Sequence, residues 1–187
     1  MKKGSFGYIS FMKKKSAVTA ILMSAAAALV YYAGLKIFPD NRTLVGIMTV
    51  LISIPAAMAV VRFVMFMRFK SGDSRIRDRV EEIRGIVPVF YDSILTTSDK
   101  SYGVNVFISA EQSLLGLSLY DGFDIEKVEK HLRGIYDGLH MQNVNIKVFT
   151  DEDKFYERLK TLSARYTPEP PVSGEDGLLH VIGRISL

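Results

Sequence analysis

Two stretches without a charged side chain, Ser16–Leu35 and Thr43–Val61, constrain this chain of 187 residues more than anything else in it. At about 1.5 Å of rise per residue, about 20 helical residues match a hydrocarbon core about 30 Å thick. The reading is a transmembrane helical hairpin, with spans at about 16–38 and 43–67. Pro39-Asp40-Asn41 between them is a turn short enough to force the helices antiparallel. Residues 1–15 precede the hairpin as a basic segment, and residues 71–187 follow it as a separate domain.

The interruptions of the apolar pattern fit this reading. Arg62 stands five residues before the end of the second span, where a long side chain can snorkel to the headgroups, and Lys36 does the same at the end of the first. Pro55 removes one backbone donor and bends the second helix, as neighbouring helices tolerate in membranes. Ser24, Ala25–Ala28 and Gly34 are small enough for close helix approach in lipid. Lys2, Lys3 and Lys13–Lys15 also imitate the basic region of a secretory signal. The apolar stretch is too long for one, however, and a second span follows it.

Orientation follows from where Lys and Arg lie. Five lysines precede the first span, and Arg68, Lys70, Arg75, Arg77 and Arg79 follow the second. The connecting loop has only Lys36 and Arg42 beside Asp40. Both termini are therefore expected in the cytoplasm, in a multi-pass protein of the cell membrane. The absence of cysteine agrees with a reducing compartment. The net charge of +4 belongs to the membrane flanks: residues 1–70 carry 10 Lys+Arg against one acid, residues 71–187 carry 14 against 19. Membrane lipids are the partners such flanks imply. A net-acidic domain is a poor start for phosphate-backbone binding, so no nucleic acid is expected.

Within the domain, Ile76, Val80, Ile83 and Val87 recur at helical spacing, and Gly85 and Pro88 end that amphipathic helix. Strand-like runs follow at Val89–Thr97, Tyr102–Ser109 and Leu114–Tyr120, an antiparallel meander with its turn at Ser98–Ser101. Ile125, Val128, Leu132, Ile135 and Leu139 form one helical stripe, capped by Asp124, with Glu126–Lys130 and Glu129–Arg133 pairs on the other side. Val144, Ile146 and Val148 alternate as a strand. Thr150 and Asp153 suggest a capping box opening a helix that turns Phe155, Leu159, Leu162 and Tyr166 inward. Thr167–Gly177, rich in proline and glycine, is a linker or surface loop. Leu179, Val181, Ile185 and Leu187 alternate as a last strand. The fold class is a membrane α-helical hairpin plus an α+β cytoplasmic domain of order α-β-β-β-α-β-α-β, with a mainly antiparallel or mixed sheet and helices on one face.

The order resembles the core of restriction-endonuclease-like nucleases, whose chemistry needs two carboxylates for Mg²⁺ and a lysine for the water. Asp92 stands where the first acid belongs, but Leu114–Tyr120 contains no Glu, Gln or Lys, and Glu111 and Gln112 lie in the preceding turn. His131, Asp137 and His140 lack the spacing of a metal site. Asp121-Gly122 reads as a turn and Asp151-Glu152-Asp153 as a helix start. No catalytic, cofactor-binding or metal residue is assigned, and no cofactor is expected. Tyr102, Phe107, Tyr120 and Phe123 are candidates for an aromatic patch on an open sheet face, able to take a peptide or ligand.

Gly7-Tyr8-Ile9, Lys13-Lys14-Lys15, Pro55-Ala56-Ala57 and Arg68-Phe69-Lys70-Ser71 resemble a family of small two-pass membrane proteins of Gram-positive bacteria. Some of its members are described as O-linked GlcNAc transferase-like. The resemblance implies the two-pass anchor. It carries over no catalytic residue, because the chain has neither 34-residue helical repeats nor sugar-nucleotide-binding α/β halves. The functional expectation is a non-catalytic scaffold or binding module, with a protein partner or further copies of itself. The alternative is an enzyme, a degenerate nuclease-like domain included, whose sign would be Asp92, Glu111, Asp121 or His140 gathered in one cleft.

Overall fold

The computed structural model describes residues 1–97, 99–110, 112–141, 143–166 and 175–187. Among them the chain forms two compact units, one of Ile9–Lys70 and one of Met1–Tyr8 with Ser71–Leu187.

The first unit is the hairpin. Helix α1 runs Tyr8–Ile37 and α2 runs Arg42–Met67, continuous through Pro55. Both are long and apolar enough to cross a membrane, and only 11% and 17% of their most apolar windows is buried, unlike core helices of a soluble protein. The helices meet through small residues. Ser16, Ala20 and Ala27 are buried on α1, and Val45, Ala56 and Ala59 on α2. A Cβ on Gly34 would stand 2.7 Å from Val45 Cγ1, closer than real side chains come, so glycine sets the helix separation at that end. The hydroxyls of Thr19, Thr49 and Ser53 donate to carbonyls one turn back, at 2.9, 2.8 and 2.8 Å, which satisfies them without water. One boundary differs from the sequence reading: α1 begins at Tyr8. Lys13–Lys15 are good helix formers and continue the helix, whereas Gly7, at φ +84°, stops it.

The second unit is a sheet between two pairs of helices. Helix α3 (Ser74–Arg84) leads to β1 (Val89–Thr96), β2 (Ser101–Ala110) and β3 (Ser113–Leu117). Then come α4 (Ile125–Gly138), β4 (Asn145–Phe149), α5 (Glu152–Arg165) and α6 (Glu175–Ile185). The sheet order is β1-β2-β3-β4, antiparallel through β3, with β4 parallel to β3 after the α4 crossover. The meander and the α4 and α5 helices stand as the sequence implied. Asp124 caps α4 by accepting from Lys127 N at 3.1 Å. The cap of α5 is Asp151 rather than Thr150, accepting from the amides of Asp153 and Lys154. Those amides, first among its causes that of Lys154, hold the Asp151 carboxyl below its ordinary value.

Helices cover both faces of the sheet, not one. Tyr102, Val104, Phe107, Leu114, Ile146 and Val148 pack under α4 and α6. Val106, Ile108, Leu115 and Leu117 pack under α3 and α5. Consecutive apolar residues such as Val106-Phe107-Ile108 and Leu114-Leu115 give both faces an apolar surface that must be covered. The expected last strand is also replaced. Residues 175–185 are helical, and Leu178, Val181, Ile182 and Ile185 form an i, i+3, i+4, i+7 stripe against the α4 side. Strand-like pairing survives only at the end, where Ser186 bridges Leu95 and Leu187 N donates to Ile94 O at 3.0 Å. The expected linker falls outside the described residues up to Gly174, and Gly177 lies within α6.

The far edge, β4, is blunted by a side chain. Glu129 of α4 accepts the Val148 amide at 2.8 Å, which occupies a backbone donor that an added strand would need.

Candidate functional site

The most unusual residue of the sheet is Asp92. It sits in mid-strand at φ +51° and is 2% exposed. An acid in the apolar run Val89–Leu95 must find hydrogen-bond partners. Its partners here are backbone amides. Oδ2 accepts from Gly7 N at 2.8 Å and Oδ1 from Gly72 N at 3.0 Å. Gly7 immediately precedes α1, and Gly72 lies between α2 and α3, so one carboxylate holds both chain ends that lead into the hairpin.

The strand geometry is arranged around this residue. The register runs Tyr91↔Val106 and then Ser93↔Val104, with Asp92 and Asn105 between them unpaired. Beyond that point both strands have turned over, since Phe90 and Leu95 share one core, as do Val104 and Phe107. Buried polar groups mark the turnover. Asn105 Oδ1 accepts Leu119 N at 2.8 Å, Ser118 Oγ donates to Gly103 O at 2.7 Å, and Ser93 Oγ donates to Val104 O at 3.4 Å.

The N-terminal residues form a strap on the outer edge of β1. Gly4 bridges Tyr91, and Tyr91 N donates to Gly4 O at 2.9 Å. A Cβ on Gly4 would fall 2.6 Å from the Phe90 ring, so only glycine passes there. Lys3 Nζ donates to Ser186 O at 2.8 Å, placing a cation at the C-terminal end of α6, where the helix dipole favours one. Phe6 meets Tyr91 edge-on at 6.1 Å, and the Arg77 guanidinium lies 4.9 Å above the Phe6 ring. The strap thus occupies the sheet edge that β1 would otherwise leave open.

An ion-pair cluster closes the arrangement from α3. Tyr91 Oη donates to Glu81 Oε1 at 2.8 Å, and Arg84 pairs with Glu81 at 2.6 Å while donating to Val87 O at 2.8 Å. Burial alone would raise the Glu81 carboxyl, but the hydrogen bonds from Arg84 and Tyr91 outweigh it and hold the group below its ordinary value. Burial, and then the bond to Glu81, push the Tyr91 phenol well above its usual range. A carboxyl depressed on folding stabilises at pH above its unfolded value and loses that contribution as pH falls. A phenol raised on folding contributes below pH about 10 and loses its share above that. Tyr91→Phe is therefore expected to raise the Glu81 pKa, read by NMR titration. It should also cost about 0.5–1.5 kcal/mol at neutral pH. A Glu81 titration curve unmoved by the substitution would show that the phenol does not hold the carboxylate.

The other residues singled out in the sequence do not join Asp92. Asp121, Asp137 and His140 are exposed, and Glu111 lies outside the described residues. Among the described residues no three His, Cys, Asp or Glu side chains are grouped to hold a metal. Tyr102 and Phe107 are inside the core beneath α4 and α6, so the aromatic patch on an open face does not exist. Phe123 packs edge-on against Tyr102 at 5.5 Å.

The chain matches no known family, curated protein or solved structure. The chemistry available at Asp92 is thus read from its geometry. Both oxygens accept from main-chain amides, so the carboxylate is a fixed acceptor and not a base aimed at an open site. What it does is tie the strap before α1 and the segment after α2 to one strand. Gly7, Gly72 and Asn105 were not singled out as site residues in the sequence. The signals were there in an acid within an apolar strand and in a glycine just outside each end of the hairpin.

Proposed function

We infer that this protein is a membrane-anchored binding module: a two-pass hairpin that holds an α+β domain at the cytoplasmic face, where it recruits a protein partner or assembles with further copies. Asp92 carries the reading. Because Gly7 and Gly72 bond to the same carboxylate, both ends of the hairpin belong to the same domain. A hairpin whose two ends meet one carboxylate crosses a bilayer an even number of times. The excess of Lys and Arg outside the connecting loop supports placing those ends in the cytoplasm.

The chain has no cysteine, which makes the topology directly testable. Single cysteines introduced as Asp40→Cys in the hairpin turn and Asp121→Cys in the exposed turn before α4 would be labelled in intact cells with a membrane-impermeant maleimide. The expected result is labelling of the first in intact cells and of the second only after lysis. The reverse pattern would overturn the orientation. Crosslinking in intact membranes, comparing the full chain with one lacking residues 71–187, then tests recruitment. Loss of a specific crosslinked protein, or of the self-crosslink, on removal of the domain is expected. Metal-dependent turnover of a nucleotide, sugar or nucleic acid by the purified full chain would favour an enzyme instead.

A further inference from the structure

The hairpin contains a cleft of about 300 Å³ between α1 and α2 lined by both polar and apolar side chains. Lys15, Ser16, Thr19 and Arg62 supply the polar ones, and Met12, Met23 and Met58 stand among the apolar ones. Arg62 and Met58 also border an adjoining groove walled by Ile54, Ala57 and Val61, so the apolar wall continues along α2. Neither Lys15 nor Arg62 has an acidic partner among the described residues.

The level of these two cations in the hairpin is set by sequence and packing together. The contact of Gly34 with Val45 fixes how the antiparallel helices align, and Lys15 and Arg62 border one cleft on opposite helices. Lys15 immediately precedes the uncharged stretch of α1, and Arg62 immediately follows that of α2. They therefore stand together where the uncharged length ends, a position from which long side chains snorkel to the level of the lipid phosphates. Two cations that no described side chain neutralises, at that level and beside a methionine-lined apolar groove, are complementary to one amphiphile. Methionine side chains also adapt readily to an irregular chain.

The geometry points to a binding site for a single anionic glycerophospholipid, its phosphate between Lys15 and Arg62 and one acyl chain along Met23 and Met58. The proposal rests on the hairpin being membrane-embedded. It goes beyond general attraction of basic flanks to an anionic leaflet, because it assigns the preference to two of the lysines and arginines and not to the rest.

The test uses the purified full chain in mild detergent, titrated with phosphatidylglycerol or phosphatidylcholine of matched acyl chains, with bound lipid counted by native mass spectrometry. One phosphatidylglycerol is expected to be retained about tenfold or more tightly than phosphatidylcholine, as two interfacial cations allow. The double variant K15Q/R62Q should lose the preference. K13Q/K14Q, which removes the same charge from the same end of the hairpin, should keep it. Water-soluble glycerol phosphate should not compete. Circular dichroism verifies that both variants retain their helices. Equal retention of the two lipids, equal loss in both double variants, or competition by glycerol phosphate would each overturn the site. Release of the wild-type chain from membranes by alkaline carbonate would defeat the anchor itself, whereas retention without lipid preference would defeat only the cleft.

Discussion

Replacing Asp92 by alanine is expected to destabilise the sheet unit by about 3–5 kcal/mol, the largest loss expected from any single polar side chain in this protein. Two amides, Gly7 N and Gly72 N, would lose their acceptor in a place where Asp92 itself is 2% exposed. Both bonds are part-buried, so each donor left unmet costs near the lower end of the about 1–3 kcal/mol of a fully buried one. Alanine at φ +51° adds about 1 kcal/mol more, since a Cβ is disfavoured there unless a polar side chain bonds locally. Asp92→Gly separates the two effects, because glycine tolerates the conformation but supplies no acceptor. It should be milder than alanine by about that backbone increment. Asp92→Asn keeps one acceptor oxygen and should lie between wild type and alanine. Urea unfolding of the full chain in detergent gives the energies, and amide exchange locates the loss. Faster exchange is expected first at residues 6–8 and 71–73. If Asp92→Ala unfolded at the wild-type midpoint, the carboxylate would not be holding the ends of the hairpin.

Much of the fold was legible because local pattern and tertiary packing agree. The uncharged stretches marked the hairpin, and period-two and period-3.6 patterns marked β1, β2, β4, α3, α4 and α5 closely, whereas β3 ends at Leu117, three residues short of the expected Tyr120. The misreading of the last element has a definite physical cause. Residues 178–185 carry apolar side chains that satisfy an alternating pattern at 179, 181 and 185 and a helical one at 178, 181, 182 and 185. The sheet decided between them. The edge of β1 is already taken by Gly4 and by Ser186–Leu187, so a full strand there has no partner, while the face over Val104 and Phe107 needs a cover. The strap was illegible for another reason. Gly7 lies 85 residues from Asp92 and Gly4 lies 87 from Tyr91, and bonds over such distances leave no periodic mark in the sequence. An isolated acid in an apolar run announces that it has a partner, but not which one.

Phe107→Ala is expected to cost about 3–5 kcal/mol, the range for removing a fully buried aromatic ring from a core that cannot collapse around the void. Phe107 is 0% exposed, and its ring fills the space over Gly116, where an added Cβ would stand 2.8 Å from Cε1. Val104, Leu114 and the stripes of α4 and α6 complete that core. This outcome separates two roles for the same aromatic residues. Ligand-binding rings on an open face would be replaced at little cost to folding, whereas rings under α4 and α6 bear directly on stability. Tyr102 supplies the control. Its hydroxyl is buried without a hydrogen-bond partner among the described residues, so Tyr102→Phe removes an unmet polar atom and keeps the ring. It should leave stability unchanged or raise it by up to about 1 kcal/mol. Thermal unfolding of the two variants in the same detergent checks both. A marginal loss for Phe107→Ala, or a large one for Tyr102→Phe, would mean that α6 does not cover the sheet as described. The covered face also directs any search for a partner surface toward the exposed helices and turns and away from the sheet. Both faces are packed, one edge carries the strap, and Glu129 occupies a donor of the other.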